Sequence, residues 1–156
     1  MDDSPTSPNG TGLRTEAASL THAGAFVTAA GFQPDEVSGT HVTGHIEIDA
    51  SHHTPWGIVH GGVYATAIES AASIGATTAV QADGMVAVGL TNTTHFLRSI
   101  TDGHVTIEAE AINQGRTQQL WKVDVRDARD RLLAHGEVRL QNVTPAGHDA
   151  GNGTRA

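Results

Sequence analysis

The sequence predicts an α+β domain in which an antiparallel sheet wraps round one long central helix. Three observations lead there. Several segments alternate apolar and polar residues with the period of two that marks a half-buried strand. One long segment, 61–81, has no clean polar face, the pattern of a helix buried on most sides. The strand segments mostly follow one another through short connections, which suits antiparallel pairing.

Taken in order, residues 1–12 are Asp, Ser, Pro, Gly, Asn and Thr with almost nothing apolar, and are expected to be a disordered tail. Residues 144–156 read the same way, which leaves one folded domain over 13–143. In the first strand Val42, Gly44, Ile46 and Ile48 alternate with Thr43, His45, Glu47 and Asp49. The helix is expected over 61–81, opened by Gly61 and Gly62 and followed closely by Gly84. A Thr-rich strand is expected over 85–97. The next carries Val105, Ile107, Ala109 and Ala111 on one face. Trp121, Val123 and Val125 then alternate with Leu120, Lys122 and Asp124. Asp127-Ala128-Arg129-Asp130 supplies turn chemistry. A last strand alternates through Ala134, Gly136, Val138 and Leu140. Five strands are therefore expected.

Composition narrows the function. The formal net charge of −8 argues against a protein that grips a nucleic-acid backbone. With no cysteine there is no disulfide framework and no thiolate nucleophile, in keeping with a cytoplasmic protein. No secretory signal and no membrane-spanning segment is expected. The ten histidines are scattered, and neither a metal site nor a cofactor is expected.

Chemistry concentrates on the helix. Glu69 is the only charged residue between His60 and Gln81. A carboxylate in such a setting must be hydrogen-bonded, paired or used. Ser73 lies four residues on and shares its face. Ala65, Thr66, Ala72 and Ala76 are expected beside it, leaving room for a substrate. At the helix start the first N–H groups lack intrahelical partners, and the dipole adds positive charge. Gly61 there is a candidate oxyanion donor, and His60 at the loop–helix junction a candidate for a chemical role.

Trp56-Gly57-Ile58-Val59-His60-Gly61-Gly62-Val63-Tyr64 followed by Glu69 resembles the hot-dog thioesterases of the PaaI type. The likeness is nearest to the 4-hydroxybenzoyl-CoA thioesterases of the Arthrobacter kind. It continues through 85–89, Asn92-Thr93-Thr94-His95-Phe96-Leu97-Arg98, 102–105 and 121–127, and spans roughly residues 40–140. It implies a hot-dog fold, a dimer with one continuous sheet, and often a tetramer built from two dimers. It implies that the chain hydrolyses an acyl-CoA thioester, aromatic or medium-chain, with Glu69 as nucleophile or as general base on water. The carbonyl-polarising N–H matches Gly61, with Gly62 beside it in the substrate contacts. The hydroxyl near the carboxylate matches Ser73. CoA contacts fall on Arg98 and Ser99 and on the loop Asn113, Gln114, Gly115, Arg116, Thr117 and Gln118. The two arginines would suit the CoA phosphates. Gly89 matches a position lining the acyl pocket.

One position departs from the family. Relatives often carry Gln six residues before the motif histidine, where this chain has Thr54; neighbouring His52 and His53 are candidate replacements. Hot-dog folds also host dehydratases and hydratases, and non-catalytic acyl-CoA-binding proteins, which are the competing readings. Finally, Gly61 and Glu69 are separated by roughly 12 Å along one helix at 1.5 Å rise per residue. A site using both is expected to need two subunits.

Overall fold

The computed structural model describes residues 24–145. In chain order the elements are helix α1 (Ala25–Ala30), strands β1 (Gln33–Val37) and β2 (His41–Ile48), helix α2 (Gly61–Val80), and strands β3 (Val86–Phe96), β4 (Gly103–Gln114), β5 (Gln118–Asp127) and β6 (Leu132–Val143). The six strands form one sheet in the order β1-β2-β4-β5-β6-β3, antiparallel throughout. The sheet wraps round α2, which contacts every strand. The expected tail over 1–12, the expected domain start at 13 and residues 146–156 of the second expected tail lie outside the described residues. Among the described residues, no helix is long and apolar enough to cross a membrane.

The alternation seen in the sequence sets the two faces. Val42, Ile46, Val105, Ile107, Ala109, Trp121, Val123, Val125, Val138 and Leu140 are all buried against the helix. The intervening polar residues form ion pairs on the outer face, such as Lys122 with Glu110 and His41 with Glu108. The helix meets the sheet through small residues. A Cβ on Gly75 would overlap the Trp121 ring, so the indole packs directly on helix backbone.

Two elements go beyond the expected five strands and one helix. Strand β1, Gln-Pro-Asp-Glu-Val, has poor strand propensity and every residue is exposed. It pairs only with β2, at an edge where Pro34 is tolerated. Helix α1 is a short segment that ends at Gly31 in the left-handed conformation, φ 80°. The central helix stops at Val80, one residue before the expected end; a 3₁₀ turn then closes on Gly84 at φ 70°.

One buried polar network was not expected. Gln119 is 2% exposed. Its Nε2 donates to Ala76 O and to Asn142 Oδ1, each at 2.9 Å. Its Oε1 accepts from Gln114 Nε2 at 2.9 Å and from Trp121 Nε1 at 3.1 Å. Asn142 in turn donates to the carbonyls of Gly115 and Arg116, each at 3.2 Å. The β4–β5 hairpin loop is thereby tied to the far half of α2. Gln119→Leu would leave the buried Trp121 N–H without its acceptor and Asn142 Oδ1 without its donor. At about 1–3 kcal/mol for each stranded group, the expected loss is ~2–4 kcal/mol, read from urea unfolding. A variant within about 0.5 kcal/mol of the parent would show that the network contributes packing alone.

Candidate active site

His60 is the N-cap of α2, with extended backbone. Its Nδ1 accepts the Gly62 N–H at 2.9 Å, and its carbonyl accepts the Val63 N–H at 3.0 Å. The neutral imidazole therefore carries its proton on Nε2, leaving one ring donor free. It also consumes the Gly62 N–H, which the sequence placed among the substrate contacts. Gly62 instead leaves space for the ring to fold back, since a Cβ there would lie 2.9 Å from Nδ1. Gly61 keeps a first-turn N–H with no acceptor among the described residues. The Phe96 ring covers it: a Cβ on Gly61 would come within 2.9 Å of the ring.

Glu69 lies two turns further along, half-buried. Its Oε2 accepts a hydrogen bond from Asn92 Nδ2 at 3.0 Å. Ser73 Oγ faces Oε1 at a long 3.5 Å, so Ser73 is the weaker partner. Asn92 also donates to Ala65 O at 3.2 Å and accepts from Thr94 Oγ1 at 2.7 Å. Gly89 backs the carboxylate, because a Cβ there would overlap Oε1. Gly89 thus contacts the carboxylate itself, beyond the pocket-lining place expected for it. Ala65, Thr66 and Ser73 share the half-buried stripe with Glu69. Ala72 and Ala76 do not: both are wholly buried on the sheet side, because residues three apart straddle the edge of that stripe.

Beside the helix start lies an open groove of about 610 Å³, bordered by Thr54, Trp56, Gly61, Phe96, Arg98 and Ser99. Trp56 is 84% exposed and Phe96 56%, so its walls are apolar and accessible. Tyr64 borders it too. Its hydroxyl is buried and finds no partner among the described residues, and burial, reinforced by Asp127, pushes its pKa up to about 12. Thr54 holds the local turn, accepting the Trp56 N–H at 3.3 Å. His52 and His53, the candidate replacements for the missing Gln, each have a ring nitrogen engaged locally. His52 is buried with Nδ1 accepting the Asp49 N–H, and His53 Nε2 pairs with the Thr101 carbonyl.

Arg98 and Ser99 come together with Gly61 in this groove. The other expected CoA contacts do not join them within one chain. Arg98 and Ser99 precede the start of β4, whereas residues 113–118 form the turn at its end. At 3.3 Å per residue that is roughly 35 Å along the strand. The helix runs the same way, with Gly61 at the Arg98 end and Ala76 beside the hairpin. Away from these residues, His41, Glu108 and Glu110 on the outer face lie close enough to share an ion. They are already engaged, His41 with Glu108 and Glu110 with Lys122.

Residues 57–134, half of the chain, match the family model described as the thioesterase superfamily. A Mycobacterium tuberculosis protein named "putative esterase" is 48% identical over 89 residues, 56% of this chain and 64% of its own length. The match thus spans just under two thirds of that relative. Its solved structure aligns with a TM-score of 0.74 at 39% identity, covering 76% of this chain and 96% of that one. The 1,4-dihydroxy-2-naphthoyl-CoA hydrolase of Listeria monocytogenes is 39% identical over 88 residues, 56% of this chain and 71% of its own. The crystal structure of a Haemophilus influenzae thioesterase aligns with a TM-score of 0.73 at 26% identity, covering 80% of this chain and 86% of that one. The fold is the hot-dog fold of these proteins.

Proposed function

We propose that this chain, which belongs to the thioesterase superfamily, hydrolyses the thioester bond of an aromatic or medium-chain acyl-CoA. The observation that carries the reading is the state of Glu69. It is a lone carboxylate on an otherwise uncharged helix, held by Asn92 and backed by Gly89. That placement gives the carboxylate a fixed direction with no counter-ion among the described residues to neutralise it, as a nucleophile or base requires. The Listeria relative, a CoA hydrolase, supports the substrate class.

The thioester carbonyl oxygen takes the free Gly61 N–H, which stabilises the charge that develops on it. Glu69 of a second copy then either accepts a proton from water, whose oxygen adds to the carbonyl carbon, or adds to that carbon itself. Collapse of the tetrahedral intermediate breaks the C–S bond. The CoA thiolate leaves and gains its proton from the protonated Glu69 in the first route and from solvent in the second, while the His60 Nε2–H is free to donate a hydrogen bond. In the second route water hydrolyses the acyl–Glu69 anhydride. Two copies pair along β3, the end strand of the sheet, where Leu90 and Phe96 are exposed. A two-fold operation there brings one chain's residues 113–118 toward the other's Arg98. A homodimer, or a tetramer of two such dimers, is the assembly this site needs. Kinship with the PaaI type, and within it the Arthrobacter kind, is the finer placement we favour, in a cytoplasmic protein.

The test is thiol release from a panel of phenylacetyl-, hydroxybenzoyl-, hydroxynaphthoyl- and octanoyl-CoA. Hydrolysis of at least one is expected. A protein that binds these thioesters and hydrolyses none would contradict the reading and favour an acyl-CoA-binding role. Arg98→Ala and Arg116→Ala should each raise KM for the CoA thioester more than they lower kcat, the mark of lost uniform binding. Neither should affect a pantetheine thioester lacking the nucleotide phosphates. Equal losses on both substrates would contradict the assignment.

A further inference from the structure

We propose that Asn92 is the positioning residue for the Glu69 carboxylate, and that a β-bulge at Leu90 turns it toward the helix. The inference rests on the reading of Glu69 as the reacting group. In the pairing of β3 with β6, Gly89 lies opposite Leu140 and Thr91 opposite the adjacent Arg139, so Leu90 is an extra residue. Directly paired residues point to the same face of a sheet. Gly89, Asn92, Thr94 and Phe96 pair with Leu140, Val138, Gly136 and Ala134 respectively, residues of the buried face. Without the bulge, Gly89 and Asn92, three apart, would face opposite ways. With it, both reach Glu69.

The amide is held at both ends. Thr94 Oγ1 donates to Asn92 Oδ1 at 2.7 Å, which forces Nδ2 toward the helix. There Nδ2 donates one proton to Ala65 O and the other to Glu69 Oε2. Ala65 O belongs to the turn before Glu69, so the clamp fixes the carboxylate relative to its own helix. Ser73, at 3.5 Å, does not supply an equivalent constraint.

Steady-state kinetics on the fastest substrate of the panel test this. Asn92→Ala should lower kcat about 10- to 100-fold with KM within about twofold, because a misplaced reacting group costs rate and not binding. Asn92→Asp keeps the shape but removes the donor and sets a like charge beside Glu69, so it should lose at least as much. Thr94→Val should lose less, and adding it to Asn92→Ala should change nothing further, since it acts through the amide. Glu69→Gln is the control. If Glu69→Gln is inactive while Asn92→Ala keeps the parent kcat, or raises KM alone, the positioning role is overturned and the catalytic carboxylate stands. A fully active Glu69→Gln would overturn the reading beneath both.

Discussion

Glu69→Ala is expected to lower turnover of the best acyl-CoA by at least about 100-fold, or ~3 kcal/mol of transition-state stabilisation. The fold should survive. Glu69 is half-buried at the edge of the helix–sheet contact, outside the buried core. Removing it takes one acceptor from Asn92, whose Nδ2 keeps the Ala65 carbonyl. No buried charge is left stranded, because no cation pairs with Glu69 among the described residues. A melting temperature near the parent's together with lost thiol release is the expected pair of results. Parent-level turnover would remove Glu69 from the chemistry.

Strands β2, β4, β5 and β6 were legible because each has one buried and one wet face, and period two follows from that directly. The helix was legible because a long segment of apolar and small residues with no polar face is buried on most sides. Strand β1 was not, since its exposed Gln-Pro-Asp-Glu sequence is held by backbone pairing to β2 and by little of its own. Gln119 was hidden because a buried amide reads as a surface residue until its four partners are known.

In the proposed site, Gly61 and Glu69 stand out in the sequence through helix geometry and charge. Asn92 stood in the sequence but carried no sign of its role. Simple alternation puts it on the face opposite Gly89, and a bulge is a property of the pairing with β6 that no single strand displays. The work of His60 was likewise a matter of local geometry, with Nδ1 folded back on the Gly62 N–H. The separation of Arg98 from residues 113–118 follows from the length of β4, which runs between them.

That separation and the helix spacing make one claim central: each site takes its oxyanion donor from one chain and its carboxylate from another. Mixing inactive variants tests it directly. Glu69→Ala removes the carboxylate. Gly61→Val drives a side chain into the Phe96 ring, 2.9 Å from where its Cβ would sit, and displaces the donor. Each variant alone should be nearly inactive. A mixed dimer carries one site with both groups intact and one with neither. Random pairing of equal amounts makes half the dimers mixed, so co-refolding should restore about a quarter of parent activity. Recovery to that level supports the shared site. Mixed dimers shown to form, with thiol release no higher than either variant alone, would contradict it.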